Sequence, residues 1–311
     1  MRRYITTRLI YGFITLFIIA TATFFLMKQL PGSPFDMEKI DQLSDQAREQ
    51  MFEKYGLNDP LIVQYGKYLV NLAKGDLGTS FYYKGRSVST IISERIGPSA
   101  LLGFQAILLG ITLGITFGIV SALRHNTVWD YFLMIIAILG ISIPNFVFAA
   151  LMQYYFGVKW GLLPVAYWNS YSNSIMPSLA LAAGVVAVIA RFMRTEMMEV
   201  IQQDFMVTAE AKGISGFAIV IKHAIRNALI PVITILGPLT INIITGSLVV
   251  ESIFAVPGLG SLFVDSIKVN DYSSVMGVTI FYSFLFVSSV LIVDILYGLV
   301  DPRIRLSEEK E

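Results

Sequence analysis

Residues 195–231, TEMMEVIQQDFMVTAEAKGISGFAIVIKHAIRNALIP, form a polar run between two apolar segments, and their pattern predicts a helix, a turn and a second helix. In the first half, apolar and small side chains recur at spacings of three and four on one face, whereas acidic and amide side chains recur on another. This is the helical period of about 3.6 residues. The first face consists of Met197, Ile201, Phe205, Thr208 or Ala209, and Lys212.

The turn between the two predicted helices is Gly213-Ile214-Ser215-Gly216, which we call the elbow. Glycine tolerates the positive φ angle that the C-terminal cap of a helix requires, and the Ser215 side chain can cap the helix that follows. The second helix is predicted to end near Pro231, where the next apolar span begins. Two short helices that meet at an exposed turn have a shape that fits a groove in a partner protein.

The composition predicts a protein that crosses a membrane several times. Of the 311 residues, 55% are hydrophobic and 14% are charged, whereas soluble domains carry about 25% charged residues. The sequence contains no cysteine, which excludes disulfides, thiolate metal sites and a cysteine nucleophile. The net charge is +1 without a basic stripe, so we expect no nucleic-acid partner.

Six apolar segments are predicted to cross the bilayer, for which a helix needs about 20 residues; the end of the fourth, near residue 189, is approximate. They are residues 9–30, 100–123, 131–156, 175–189, 229–250 and 275–300. A signal peptide is the alternative for the first segment, because Ala20-Thr21-Ala22 resembles a cleavage site. The apolar run continues past that site and favours an uncleaved span. Pro144 predicts a kink in the third span, and the aromatic residues of 157–174 are typical of a membrane interface.

The distribution of Lys and Arg predicts the orientation, because short cytoplasmic loops carry an excess of both. The short loops on the outer side contain only Lys159 and Lys268. Residues 31–98 are left out of the comparison, since segments longer than about 60 residues translocate largely regardless of charge. Both termini and residues 195–231 are therefore predicted to be cytoplasmic. The cytoplasmic side is marked by Arg2, Arg3, Arg8, Arg124, Arg191, Arg194, Lys212, Lys222, Arg226, Arg303, Arg305 and Lys310.

Residues 31–98 are too polar to lie in lipid and too regularly patterned to be disordered. Helical spacing predicts short helices over 46–55, 61–74 and 88–96, with a loop at 75–80. We therefore expect a small extracytoplasmic helical insert. The predicted organisation is a cytoplasmic tip with the first span (1–30), the insert (31–98), a core domain of five spans that carries the loop 195–231 (99–300), and a cytoplasmic tail (301–311).

Residues 207–213 (VTAEAKG) and 223–231 (HAIRNALIP) resemble the cytoplasmic "EAA" loop of the permease subunits of ABC importers. Ala209 and Gly213 match the second Ala and the Gly of the general pattern. Val207 and Thr208 stand where Glu and Ala are usual, and these departures are typical of the peptide and nickel branch of the family.

Other segments extend this resemblance over nearly the whole chain, and they are similar to the B-type membrane subunits of dipeptide and oligopeptide permeases. They are residues 59–61 with 75–80, 94–99 (ERIGPS), 251–260 (ESIFAVPGLG) and 300–303 (VDPR). The resemblance implies an all-α membrane protein of the ABC type I importer permease fold, with six transmembrane helices and the insert after the first. It also implies a multi-pass location in the bacterial cytoplasmic membrane.

The resemblance further implies the partners of the chain. They are a second, homologous permease subunit, two ABC ATPase subunits, an extracytoplasmic peptide-binding protein, the peptide substrate and membrane lipid. ATP and Mg would be bound by the ATPase subunits, and no cofactor by this chain. The residues expected to dock on an ATPase subunit are Thr208, Ala209, Glu210, Ala211, Lys212, Gly213, Ile214, Ser215 and Gly216.

The chemistry of the sequence favours a transport subunit without its own ATPase site. No Gly-x-x-x-x-Gly-Lys-Ser/Thr loop is present, and the two histidines, His125 and His223, both fall in predicted cytoplasmic loops. A zinc site or a Ser-His pair within the spans is therefore not expected. An intramembrane protease ranks last for the same reason.

Ionisable side chains are scarce within the spans, and Asp294 is the clearest case. An interfacial ion pair with Arg191 or Arg194 is favoured for it over a role in a gate or in a contact with a partner helix. In the fifth span, Asn242, Thr245 and Ser247 are candidates for the translocation path, although small polar residues also hold helices together.

Two alternatives to a peptide importer remain open from the sequence. A nickel or metal-chelate permease belongs to the same class, and only the solute differs. An ion-coupled secondary carrier is a different class, and it usually requires intramembrane carboxylates or broken helices at the midplane.

Overall fold

The computed structural model describes residues 2–30, 44–54, 58–83 and 85–300, which are mostly helical. A π-helix over Gln153–Lys159 continues the α-helix Asn145–Met152, and a second over Val220–Ile225 joins the α-helices Gly216–Ile219 and Arg226–Ile253. The α-helices are α1 (Arg2–Gln29), α2 (Asp45–Lys54), α3 (Leu61–Ala73), α4 (Val88–Leu123), α5 (Val128–Ser142), α6 (Asn145–Met152), α7 (Ile175–Ile201), α8 (Asp204–Ala211), α9 (Gly216–Ile219), α10 (Arg226–Ile253), α11 (Leu259–Lys268) and α12 (Tyr272–Val300).

Within the described residues, five helical stretches are long and apolar enough to cross a membrane. They are Thr6–Gln29, Val88–Leu123, Tyr171–Ile201, Gly216–Gly237 and Tyr272–Val293. Two further helical stretches, Val128–Ser142 and Asn145–Lys159, are long and apolar enough only when they are taken together. We call them the bent pair. The six predicted spans are reached when the bent pair counts as one. The all-α membrane fold expected from the sequence is confirmed.

The bent pair differs from the prediction of one kinked span over 131–156. Its two helices meet at 107°, and the break falls at Ile143 and Pro144. Ile143 is extended, with φ −91° and ψ 121°, because the proline ring clashes with a helical residue before it. Pro144 then precedes the first turn of α6, where its missing N–H is not needed. The position of the break is therefore as predicted, whereas its size was not.

Pro98 and Pro231 do not interrupt their helices, and the helix boundaries predicted next to them were wrong. The predicted short helix over 88–96 and the second span form a single helix, α4, with Pro98 inside it. Likewise α10 begins upstream of Pro231, which was expected to mark its entry. Helices of membrane proteins tolerate prolines because neighbouring helices and local adjustments satisfy the freed backbone groups.

The described residues divide into two compact units, one within Met1–Gly97 and Gly258–Ser288 and the other within Pro98–Pro257 and from Ser289 to residue 300. In the first unit, the buried carboxylate of Asp271 caps α12: it accepts hydrogen bonds from the Ser274 hydroxyl (2.6 Å), the Phe81 amide (3.1 Å) and the Ser80 hydroxyl. The loop before α4 is thereby fixed to the start of α12. The predicted domain boundaries after residues 30 and 98 stay predictions.

Also in the first unit, the side chains of α3 pack on α1. The ring of Tyr68 stacks on Phe24 at 5.4 Å, and the Tyr65 hydroxyl lies 2.7 Å from the Thr21 hydroxyl. Burial, with a smaller contribution from Tyr65, raises the pKa of Tyr68 to about 12. The helix predicted over 61–74 is therefore present, and it covers part of the first span.

The second unit is organised around α7, whose alanine-rich face is fully buried. Opposite it, α4 carries glycines at every fourth position, which allow the two backbones to approach closely. A Cβ atom added at Gly118 would lie 2.7 Å from the Ala190 carbonyl oxygen and 2.6 Å from the Met193 Cβ. At Gly114 it would lie 2.7 Å from the Ile189 Cβ. The backbones of α4 and α7 therefore pack closely at these glycines.

We predict that Gly118→Ala lowers the free energy of unfolding by about 1–3 kcal/mol, because the new methyl group meets backbone atoms of α7. Thermal unfolding of the purified chain in detergent measures the effect. The matched control is Gly97→Ala on the same helix, where an added Cβ would meet no atom within 4 Å. Equal melting temperatures for the two variants would contradict the predicted close packing.

Candidate functional site

The segment 195–231 contains a break that the sequence pattern did not predict. Instead of one helix up to residue 212, α7 ends at Ile201, and α8 begins at Asp204. Gln203 is extended, with φ −75° and ψ 147°, and Asp204 places an acidic side chain in the first turn of α8, where the helix dipole favours it. The face predicted to be continuous is therefore divided: Met197 is fully buried in α7, whereas Phe205 is 41% exposed in α8.

The elbow has the local geometry that its sequence predicts. Gly213 has φ +76°, and its amide donates to the Glu210 carbonyl (2.9 Å), while the Ile214 amide donates to the Ala209 carbonyl (3.3 Å). This pair of bonds is the Schellman C-cap. An added Cβ at Gly213 would meet no atom within 4 Å, so the backbone angle and not lack of space requires glycine. Ser215 accepts a hydrogen bond from the Ala218 amide and caps α9.

The residues predicted to dock on a partner are mostly on the surface. Two members of the set differ from the rest: Ala209 is buried and Ile214 is half-buried. Ala209 and Met206 fix α8 on the hydrophobic core that α7 also joins. The exposed members are Thr208, Glu210, Ala211, Lys212, Gly213, Ser215 and Gly216.

The outer side of α8 combines apolar and charged side chains outside all candidate spans. Val207 is 64% exposed, and Phe205 is exposed on the same short helix. Val207 and Phe205 are two positions apart, so they lie on different flanks of α8. Asp204, Glu210 and Lys212 are also exposed, and the surface of α8 therefore offers both apolar and charged groups to a partner.

A buried ion pair just before this segment was missed by the sequence analysis. The guanidinium of Arg194 donates from Nε to Asp130 Oδ1 and from Nη2 to Asp130 Oδ2, both at 2.8 Å. Asp130 is only 2% exposed, and it also accepts from the Ser121 hydroxyl and the Asn126 amide. Nδ1 of His125 lies 3.2 Å from Asp130 Oδ2. This cluster joins α7 to α5, to the end of α4 and to the turn between α4 and α5.

The ion pair corrects the pairing expected for Arg194. The sequence favoured Arg191 or Arg194 as the partner of Asp294, but Arg194 binds Asp130, and the side chain of Asp294 lies outside the described part of the structure. The sequence signal was present, since Asp130 and Arg194 both lie near the cytoplasmic ends predicted for their spans. The sequence does not show, however, that these two residues, which are 64 positions apart, are close in space.

The three polar residues proposed for the translocation path lie within α10. The side chains of Asn242, Thr245 and Ser247 are outside the described part of the structure, so their role stays a prediction.

The end of α10 is held by polar side chains of other elements. Fully buried Glu251 accepts a hydrogen bond from the Ser99 hydroxyl at 2.7 Å. Gln153 donates to the Ile253 carbonyl at 2.9 Å, and the Tyr167 amide donates to the Phe254 carbonyl at the same distance. These bonds satisfy carbonyl groups that the end of a helix leaves without partners. Residues 251–254, at the start of the segment ESIFAVPGLG, are thus held in place by hydrogen bonds to other elements.

The sequence profile of the family described as binding-protein-dependent transport system inner membrane component matches residues 114–306, and the profile of its N-terminal region matches residues 1–96. The chain belongs to this family. It is a multi-pass membrane component of a multi-subunit transport system, and the predicted family is confirmed.

Curated relatives match over their full length. The dipeptide transport system permease protein DppB of Bacillus subtilis (strain 168) is 44% identical over 99% of this chain and 100% of its own length. The oligopeptide transport system permease proteins OppB of Haemophilus influenzae and Escherichia coli (strain K12) are 45% and 41% identical, each over 98% of this chain and 100% of their own.

A solved structure confirms the fold independently of these names. The crystal structure of an amino acid ABC transporter with histidines matches 67% of this chain and 93% of its own, with a TM-score of 0.54. The identity of 14% is too low to carry more than the fold.

We predict that Arg194→Gln lowers the free energy of unfolding by about 3 kcal/mol, because it leaves the buried carboxylate of Asp130 without a countercharge. Thermal unfolding in detergent measures the loss, and the exposed Arg191→Gln on the same helix is the control. The double variant Arg194→Gln/Asp130→Asn should regain part of the stability. If Arg194→Gln unfolds at the same temperature as the control, the ion pair does not hold these helices.

Proposed function

We propose that this chain is the membrane-spanning subunit of an ATP-driven ABC importer that translocates dipeptides or oligopeptides. The observation that carries the proposal is the full-length match, at 41–45% identity, to permease proteins of dipeptide and oligopeptide transport systems. The hydrophobic helices and the shared fold with an ABC transporter support the membrane role.

The proposed complex contains this chain, a second homologous permease subunit, two ABC ATPase subunits and an extracytoplasmic binding protein that delivers the peptide. ATP and Mg are bound by the ATPase subunits, and this chain binds no cofactor. The excess of Lys and Arg on one side supports an orientation with both termini and the elbow in the cytoplasm.

We place the ATPase contact on the exposed side of α8 and on the elbow. The exposure of Val207, Phe205 and the charged residues Asp204, Glu210 and Lys212 supports this assignment. The opposite side of α8 is fixed to the core by Met206 and Ala209. A force applied to α8 is therefore passed to the core that α7 shares.

A displacement of α7 would be transmitted to two other helices of the second unit through direct contacts. Arg194 connects α7 to α5 through Asp130, and the close packing at Gly118 connects it to α4. Closure of the ATPase subunits around ATP would thus move these three helices together. Alternating access of the peptide path then follows from ATP binding and hydrolysis in the partners.

Reconstitution of the complex in proteoliposomes tests the function, and we expect ATP-dependent uptake of a labelled dipeptide or oligopeptide. Gly213→Ala should reduce this uptake about tenfold, because a side chain at φ +76° costs about 1–2 kcal/mol in the left-handed region. The matched control is Gly216→Ala, where the added Cβ also meets no atom but φ is not positive.

The same assay separates the alternatives. Uptake of nickel without peptide would overturn the proposed substrate, and uptake that needs an ion gradient but no ATPase would overturn the class. If Gly213→Ala and Gly216→Ala transport equally, the conformation of the elbow does not matter for coupling.

A second variant tests the docking surface without changing the elbow. We predict that Val207→Asp lowers the amount of ATPase subunits that co-purify with the chain about tenfold, because a carboxylate replaces an apolar contact. Val63→Asp on α3 is the control, since it changes an exposed valine outside the candidate spans. Equal recovery of the ATPase subunits with both variants would remove α8 from the docking surface.

A further inference from the structure

A large apolar cavity lies next to the bend of the bent pair, within the second unit. Its volume is about 720 Å³, and it is lined by residues of α4, α5, α6 with its π-helix, and α7. The lining includes Leu113 and Phe117 of α4, Leu139 of α5, Ala183 of α7 and Ile143 at the break. The cavity therefore occupies the space that the 107° bend leaves open.

The lining of this cavity excludes most ligands of a transporter. It consists of apolar side chains, including the thioether of Met152, and the groups in it that can hydrogen-bond well are the hydroxyl group of Tyr155 and the indole N–H of Trp160. A peptide in the cavity would lose the hydrogen bonds of its backbone to water and gain almost none in return. A hydrocarbon chain loses nothing on entry, and a volume of this size is within the range of small-molecule sites.

The walls of the cavity reach the surface that faces the membrane. Leu139 and Leu151, one from each helix of the bent pair, line the cavity and are 50% and 45% exposed. Both lie on helices that are apolar enough to be in the bilayer. The cavity is therefore open to the hydrocarbon part of the membrane.

One end of the cavity carries the groups that occur at a membrane interface. Trp160 packs against Phe156 and Tyr155, with ring centroids 5.0 Å and 5.8 Å apart. The ammonium group of Lys159 lies 5.4 Å from the ring centroid of Tyr155. Aromatic side chains prefer the level of the lipid headgroups. The ammonium group of Lys159, in the loop predicted to be on the outer side, can form a charge-assisted hydrogen bond with a lipid phosphate group.

We propose that this cavity binds one acyl chain of an anionic phospholipid, whose phosphate group is held at Lys159 and whose chain fills the space beside the bend. This site goes beyond the proposed transport function and does not depend on it. The bound chain provides the packing that α5 and α6 lose by turning away from each other at Ile143 and Pro144. The lipid is thus a structural ligand of the bent pair.

Quenching of tryptophan fluorescence by brominated lipid tests the proposal. In the full-length chain with Trp129→Phe and Trp168→Phe, Trp160 is the one remaining tryptophan. Phosphatidylglycerol and phosphatidylcholine with dibrominated stearoyl chains are titrated separately into the protein in maltoside detergent. We expect quenching that saturates near one lipid per chain, with phosphatidylglycerol bound about fivefold more tightly at low salt.

Three variants identify the site. Ala183→Phe fills the cavity and should abolish the saturable quenching, whereas Ile138→Phe, at an exposed position of α5 that does not line the cavity, should leave it unchanged. Lys159→Gln should remove the preference for phosphatidylglycerol and keep the binding of phosphatidylcholine.

Quenching that rises without saturation, or that is equal in Ala183→Phe and Ile138→Phe, would overturn the proposal. If Ala183→Phe does not fold, as judged by circular dichroism, the exposed Lys159→Gln decides: an unchanged preference for phosphatidylglycerol overturns the assignment of the headgroup. Saturable quenching that disappears when a homologous permease subunit is added would show that a protein partner, and not lipid, covers the cavity.

Discussion

The ion pair between Arg194 and Asp130 is the interaction on which the second unit depends. A carboxylate that is 2% exposed is tolerated only when its charge is paired and its oxygens accept hydrogen bonds. Arg194, the Ser121 hydroxyl and the Asn126 amide meet both needs. Because these partners come from α7, α4 and the turn after α4, one carboxylate fixes three elements. Arg194 is also only ten residues from the start of α8, so this fixed point lies directly before the proposed docking helix.

The membrane imposes the second constraint, since a buried backbone group there must find its partner within the protein. Helices α4 and α10 remain helical through Pro98 and Pro231, although each proline removes one backbone donor. The bent pair and the end of α10 interrupt the helical pattern, and there a side chain takes over: Gln153 donates to the carbonyls of Val165 and Ile253. At the end of α10 and in the loop after the bent pair, a side chain of another element thus completes backbone hydrogen bonds.

The sequence predicted the features that depend on neighbouring residues. The apolar spans, the positive φ of Gly213 and the cap at Ser215 follow from local chemistry, and the structure has them. It did not predict the break at Gln203, because the amphipathic period continues across it without glycine or proline. Nor did it predict the pairing of Arg194 with Asp130, because helical periodicity says nothing about which residues of different helices meet.

The angle of the bend at Pro144 could not be predicted from the sequence, because it also depends on contacts between different helices. A proline fixes where a helix stops, but the angle depends on what packs on either side. On one side, an added Cβ at Gly140 would lie 2.6 Å from the Ala183 carbonyl oxygen, so α5 is held closely against α7. On the other side, α6 borders the cavity. Close-packed contacts transmit displacement, whereas a cavity absorbs it. Movement that reaches α5 through Asp130 is therefore expected to be taken up at the bend, where a bound acyl chain would limit its extent.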